Sequence, residues 1–225
     1  MPFSPSTIEF LVENKLQDSR EWYKDNKERY SKTVLEPFVE LVERLAPDML
    51  KIDAQFITEP RVDRTLSRIY RDTRFSKDKS LYRDNMWFVF MREKKLYGGL
   101  PAYYFDLTPK GFSYGMGYYM ASGASMDSIR NLALSGSPAF KKAEKAFRGQ
   151  NLFGMEGDAY KKSKHPEQPE NVREWLDKKS MSFNAYSDDT DLLFSDKLAD
   201  KLLEGFRLLV PMYDFLCLAE TQKIE

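Results

Sequence analysis

The sequence predicts an α+β fold in which a mostly antiparallel sheet is flanked by N-terminal and C-terminal helices. Helical periodicity dominates both ends of the chain, whereas the middle is rich in aromatic residues that alternate as strand residues do. Helices, then strands, then helices is the order typical of α+β domains, since a parallel sheet would require strands and helices to alternate. The 225 residues contain no Gly/Ser-rich linker, so we expect a single domain over residues 1–225.

The N-terminal part of the chain carries clear helix signals. Ser4 followed by Pro5 suits an N-cap and the first helical position. A longer helical pattern opens after Asp18 or Ser19. Pro37 interrupts it, because proline lacks the N–H group and clashes with the carbonyl four residues earlier. We therefore expect a long N-terminal helix that kinks or splits near Pro37.

The middle of the chain carries the strand signals. Residues 86–91 are apolar at nearly every position, as in a central strand covered on both faces. Two aromatic runs flank residues 108–111, whose proline and glycine suit a type I turn and predict a β-hairpin. Bare positions in its second strand, Gly115 and Gly117, often mark the close approach of another backbone or of a ligand. Strands are expected near residues 66–70, 85–91, 102–107, 112–120 and 182–186.

Helix signals return after the hairpin. Residues 127–134 predict a short helix, and Ser137 before a proline opens another that runs to about Arg148. Ser195 is expected to cap a final helix, which carries apolar residues along one side and a kink at Pro211.

The composition of the chain argues against several classes of function. The 35 basic and 35 acidic residues balance, which counts against nucleic-acid binding without excluding it. A single histidine, His165, and a single cysteine, Cys217, argue against a zinc site, a disulfide framework and histidine-based nucleophilic catalysis. The chain also lacks the glycine motifs of nucleotide-binding sites. Taken together, these observations lead us to expect no metal, no cofactor and no nucleophilic cysteine. Cys217 is expected to be a buried small hydrophobe. The lack of a secretory signal or spanning segment predicts a cytoplasmic protein without membrane association.

Residues 61–83, called the basic segment, contain eight basic and three acidic residues. Arginines three residues apart beside an aspartate can hold a phosphate or carboxylate bidentately. In such a pocket Asp72 would orient an arginine, tyrosines would supply walls or hydroxyls, and Ser76 would add a donor. The residues expected to bind the ligand are Arg68, Arg71, Asp72, Arg74, Lys77, Lys79, Tyr82, Tyr104 and Tyr119.

The basic segment includes a long motif, RIYRDTRFSKDKSLYR, over residues 68–83. This motif resembles the signature of a family of conserved hypothetical proteins, the domain of unknown function 2461. Other parts of the chain are similar to that family at residues 20–23 with Asn26 and Tyr30, 101–104, 115–119, 176–180 and 208–216. The resemblance covers nearly the whole chain and implies a single α+β domain, but it supplies no activity, cofactor or catalytic residue.

Three interpretations of the basic segment stay open. In the first, it binds an anionic, phosphate-bearing small molecule, and an enzymatic version would use Asp72 or Asp78 as general base. In the second, it is a non-catalytic interaction module that docks an acidic protein or nucleic acid. In the third, the aspartates pair with the arginines and pin an irregular loop. A concave patch with convergent arginines and tyrosines would favour the small ligand, and a flat one the macromolecule.

Overall fold

The computed structural model describes residues 3–74, 77–93 and 99–222. The N-terminal helices are α1 (Pro5–Gln17), α2 (Arg20–Asp25), α3 (Lys27–Tyr30) and α4 (Glu36–Ile52), with a π-helical segment (Ser31–Leu35) before α4. The strands are β1 (Met86–Phe90), β2 (Ala102–Thr108), β3 (Gly111–Gly117), β4 (Gly154–Glu156) and β5 (Ser182–Ser187). The later helices are α5 (Gly123–Leu134), α6 (Pro138–Arg148), α7 (Glu170–Leu176), α8 (Thr190–Leu193) and α9 (Leu198–Thr221).

The predicted fold class is confirmed. The strands form one antiparallel sheet in the order β1-β2-β3-β5-β4, with helices before and after it in the chain. Strand β4 was not predicted, because three residues beginning with a glycine are too short to show a period. It pairs with β5 in a register that places Met155 opposite Phe183.

The described residues fall into two compact units. The first lies within Met1–Phe90, Tyr104–Tyr114 and Tyr186–Leu203, and the second within Met91–Tyr103, Gly115–Ala185 and Glu204–Glu225. Aromatic rings fill the interior of each. The single domain over residues 1–225 stays a prediction. No helix in the described part of the chain is both long enough and apolar enough to cross a membrane.

The disturbance expected near Pro37 takes the form of a π-helical segment in a continuous helical stretch, and it has a visible compensation. The π-helical segment precedes α4, and Pro37 lies in the first turn of α4. Because Pro37 has no N–H group, the carbonyl of Thr33 lacks its α-helical donor. The buried Thr7 of α1 supplies a donor instead, since its Oγ1 donates a hydrogen bond of 2.6 Å to the Thr33 carbonyl.

Two expectations about strands were wrong at the edge of the sheet. Strand β1 is an edge strand rather than a central one, and its outward-facing Trp87 and Val89 are only half-buried. Residues 66–70 do not form a strand; they contribute only isolated bridges, such as Leu66 with Phe88. Their neighbours still cover the edge of β1, because the Val89 N–H donates to the Thr65 carbonyl at 2.9 Å.

Other helices and strands begin or end a few residues away from their predicted boundaries. Strand β3 ends at Gly117, so Tyr119 and Met120 lie beyond it and are exposed. Helix α9 begins at Leu198, three residues after the expected cap, Ser195. Cys217 on α9 is half-buried, so its expected burial was only partly right.

The bare glycines of β3 face a neighbouring backbone. A Cβ atom at Gly115 would overlap the carbonyl oxygen of Phe183 in β5, and one at Gly117 would overlap the backbone of Ser182. Of the two explanations that the sequence left open, close approach of another backbone therefore accounts for these positions.

We predict that Gly115→Ala destabilises the protein by at least about 1–3 kcal/mol, because the added methyl group meets backbone that cannot rotate away. Urea unfolding followed by circular dichroism measures the loss. The matched control is Gly154→Ala in β4, where a Cβ would meet nothing within 4 Å. Equal stability of the two variants would contradict the close approach of β5.

Candidate functional site

The two ends of the RIYRDTRFSKDKSLYR motif lie side by side. Tyr70 forms an antiparallel bridge with Tyr82. The Arg71 N–H donates to the Leu81 carbonyl at 2.9 Å, and the Arg83 N–H donates to the Ile69 carbonyl at 3.0 Å. This pairing brings Arg71 and Arg83 together although they are twelve residues apart. The expected donor Ser76 lies outside the described residues.

The end of α1 fixes the position of residues 80–82. Asp18 caps α1 in the left-handed conformation, with φ of 43°. Its Oδ1 accepts hydrogen bonds from the N–H groups of Leu81 at 2.7 Å and Tyr82 at 3.2 Å. Lys15 donates to the Ser80 hydroxyl and to the Tyr82 carbonyl. In the sequence, Asp18 marked only a helix boundary, and no local pattern could have revealed contacts with residues more than sixty positions away.

Tyr82 belongs to a buried aromatic cluster instead of forming an open wall. Its side chain is fully buried, with ring centroids of Tyr23 and Tyr70 at 5.2 Å and 5.0 Å. Burial raises the pKa of Tyr23 to about 12 and raises the pKa of Tyr82 further, so both phenols stay protonated at neutral pH. Tyr104 on β2 is half-buried, and Tyr119, which is in the second unit, is fully exposed.

The arginines of the motif pair with separate carboxylates. Arg74 donates two hydrogen bonds to Asp72, from Nε to Oδ1 at 2.9 Å and from Nη2 to Oδ2 at 2.6 Å. Arg71 Nη1 lies 3.0 Å from Asp78 Oδ2. A third pair joins Arg68 Nε to Asp63 Oδ1 at 3.1 Å. The three guanidinium groups therefore do not gather around one point, which is the arrangement that the loop-pinning interpretation expects.

The two lysines of the predicted site lie on the surface. Lys79 Nζ donates to the Thr73 carbonyl at 2.8 Å and so closes the loop between them. Lys77 is exposed. Both ammonium groups add positive charge near the loop, but neither lines the cavity described next.

A small cavity lies beside the paired ends of the motif. It has a volume of about 270 Å³ and is lined by Arg71, Asp72, Arg83, Asn85 and Trp87. The Arg83 guanidinium lies 4.4 Å from the centroid of the Trp87 ring, and its Nε donates to the Tyr70 carbonyl at 3.2 Å. Arg71 and Asp72 were predicted. Arg83 was part of the motif but not of the predicted site, and Asn85 and Trp87 carried no signal in the sequence.

The aspartates of the motif are held as carboxylates. Hydrogen bonds from Arg74, first from its side chain and then from its backbone, keep the pKa of Asp72 well below its usual range. Hydrogen bonds from Ser80, followed by the charges of Arg71 and Lys15, lower the pKa of Asp78. A carboxylate with a lowered pKa is a weak proton acceptor at neutral pH, so neither aspartate suits the role of general base.

Within residues 3–74, 77–93 and 99–222, no three His, Cys, Asp or Glu side chains are grouped to hold a metal ion. His165 lies with its Nδ1 3.6 Å from the Glu167 carboxylate.

We predict that the Asp72 carboxyl titrates well below 3.8, its ordinary value, and that Arg74→Gln returns its pKa towards that value. Because the folded-state pKa is lowered, the pair stabilises the fold above the ordinary pKa, and this contribution is lost as the pH falls through the folded-state pKa. Carbon-detected NMR of the carboxyl groups measures both values. Arg61→Gln, which removes a partner of Glu59, is the control and should leave Asp72 unchanged. An ordinary Asp72 pKa in the unmodified protein would contradict the pairing.

Comparison with known proteins points to one family. No curated protein matches the chain. The model of a family described as conserved hypothetical protein (DUF2461) matches residues 6–215, which is nearly the whole chain. The resemblance carried by the motif at residues 68–83 and by the segments around it is thereby confirmed at the level of the family. The chain belongs to the DUF2461 family of conserved hypothetical proteins.

Proposed function

We propose that the chain binds a small phosphate-bearing anion in the cavity beside Arg71 and Arg83. The observation that carries this proposal is the meeting of two arginines from opposite ends of the motif at one concave site. An amide, Asn85, and an indole, Trp87, complete the lining. Guanidinium groups bind phosphate oxygens through paired N–H donors, and an amide adds a neutral donor.

The existing ion pairs leave room for an anion to compete. The Arg71 side chain is 28% exposed and that of its partner Asp78 is 53% exposed. Exposed pairs of this kind contribute only about 0–1 kcal/mol, so a doubly charged phosphate can displace Asp78 from Arg71, or share Arg71 with it, at a low cost in free energy. Asp72, although it lines the cavity, accepts two hydrogen bonds from Arg74, which reduces its repulsion of an anion.

The stacked arginine is well placed for recognition. Arg83 lies over Trp87 and donates from Nε to the Tyr70 carbonyl, and these two contacts hold the guanidinium group in place. A fixed plane loses less conformational entropy when it binds an oxyanion. Asn85 is oriented in turn, because its Nδ2 donates to Asp106 Oδ1 at 2.9 Å.

The size of the cavity limits the ligand. Its volume of about 270 Å³ is near the lower end of the range of ligand pockets. Phosphate, pyrophosphate and sugar phosphates fit this volume, whereas a dinucleotide would extend beyond it.

Binding is favoured over catalysis and over macromolecular docking. The lowered pKa values of Asp72 and Asp78 argue against an acid–base enzyme that relies on them. The alternative, an interaction module that docks an acidic protein or nucleic acid through residues 61–83, is less well supported. Many of the arginines in that segment already pair with nearby carboxylates, including Arg61 with Glu59 and Arg68 with Asp63.

We predict that phosphate, pyrophosphate or a sugar phosphate raises the melting temperature of the protein. At a ligand concentration near a hundred times the dissociation constant, the gain is about 2.7 kcal/mol. For a chain of this size that corresponds to about 5–10 °C. Thermal shift measured against chloride at matched ionic strength separates specific binding from general salt effects.

Three variants test the location. Arg71→Gln and Arg83→Gln should each abolish the shift, whereas Arg61→Gln, with the same change in charge, should retain it. The absence of any shift in the unmodified protein, or a full shift in Arg71→Gln, would refute the proposed site. Unfolding of Arg71→Gln without ligand would favour the interpretation that the ion pairs only pin the loop.

A further inference from the structure

We propose that a second surface docks an acidic segment of a partner protein. This surface, called the Tyr160 patch, consists of Tyr160, Lys161, Lys162, Lys164 and Lys179. All five residues belong to the second unit, and the proposal does not depend on the anion site beside Arg71.

Three cations gather around the ring of Tyr160. Lys164 Nζ lies 4.2 Å from the ring centroid, Lys179 Nζ 5.2 Å and Arg130 Cζ 5.3 Å. These distances are within the reach of cation–π attraction, about 6 Å. Asp127 Oδ1 lies 2.6 Å from Arg130 Nη1 and offsets that charge, whereas Lys164 and Lys179 would each gain from an anionic partner nearby.

The lysines of the patch are not neutralised by the part of the chain that the structure describes. There, none of Lys161, Lys162, Lys164 and Lys179 forms an ion pair with a carboxylate. The Asp177 carboxylate accepts a hydrogen bond of 2.9 Å from the Ser163 hydroxyl. The basic segment differs in this respect, because several of its arginines are matched by adjacent aspartates and glutamates.

The backbone beneath the patch is held in place. Arg130 is buried, and it donates from Nε to the Leu176 carbonyl at 2.9 Å and from Nη2 to the Lys178 carbonyl at 2.6 Å. The Tyr160 N–H donates to the Asp177 carbonyl at 2.8 Å. The two segments that carry the lysines are therefore ordered before a partner binds, which reduces the entropy lost on docking.

The chemistry of the patch favours carboxylates over nucleic acid. Proteins that bind single strands use exposed aromatic rings on which bases stack, whereas Tyr160 is half-buried and already contacted by three cations. Lysine ammonium groups act as flexible point charges and need no fixed geometry in the acceptor. A run of aspartate or glutamate residues in an extended segment matches four such charges.

A labelled oligoglutamate peptide tests the proposal on the full chain by fluorescence anisotropy at low and at physiological salt. The double variant K164Q/K179Q should bind about tenfold more weakly, since two exposed ion pairs are lost. The control is K141Q/K145Q, which removes two exposed lysines from α6 with the same change in charge and should bind as the unmodified protein does.

Each other outcome overturns the proposal. No binding of the peptide, or equal weakening in K164Q/K179Q and in the control, would show that the patch has no specific role. A single-stranded oligonucleotide of equal charge that binds more tightly, with the same dependence on Lys164 and Lys179, would assign the patch to nucleic acid. If K164Q/K179Q fails to fold, K161Q/K162Q carries the same test, because both of its lysines are exposed.

Discussion

The candidate site depends on the hydrogen bonds that the Asp18 carboxylate accepts from a distant part of the chain. Asp18 ends α1, and its carboxylate accepts hydrogen bonds from the backbone N–H groups of Leu81 and Tyr82. The short pairing with residues 69–71 does not use these two N–H groups. Hydrogen bonds from two N–H groups to one ionised acceptor are among the stronger interactions that a loop can make. Because residues 81–83 are held there, Arg83 lies beside Trp87 and lines the same cavity as Arg71.

Charge is distributed differently on the two surfaces for which roles are proposed. In the basic segment, carboxylates accompany the arginines closely, so an anion must compete for Arg71 with Asp78. In the Tyr160 patch, none of the four lysines forms an ion pair with a carboxylate of the described residues. The net charge of zero for the whole chain conceals this difference, because it averages over both surfaces.

The local features of the fold could be predicted from the sequence and the distant contacts could not. Serine before proline located the starts of α1 and α6, and Pro37 located the π-helical disturbance before α4, because capping and proline geometry act within one turn. The expected strand at residues 66–70 failed because a strand also needs a continuous partner, and these residues make only isolated bridges. The predicted site contained Arg71 and Asp72 but missed Trp87, since only the folded chain brings that ring to Arg83.

The most direct test of the account is a crystal structure of the protein grown with tungstate, whose anomalous scattering locates a phosphate-like oxyanion without ambiguity. The account predicts anomalous density between the guanidinium groups of Arg71 and Arg83, with Asn85 in contact. Density only elsewhere, such as in the cavity that Arg148 and Arg173 line together with Glu170, Glu174 and Asp177, or none at all, would contradict it.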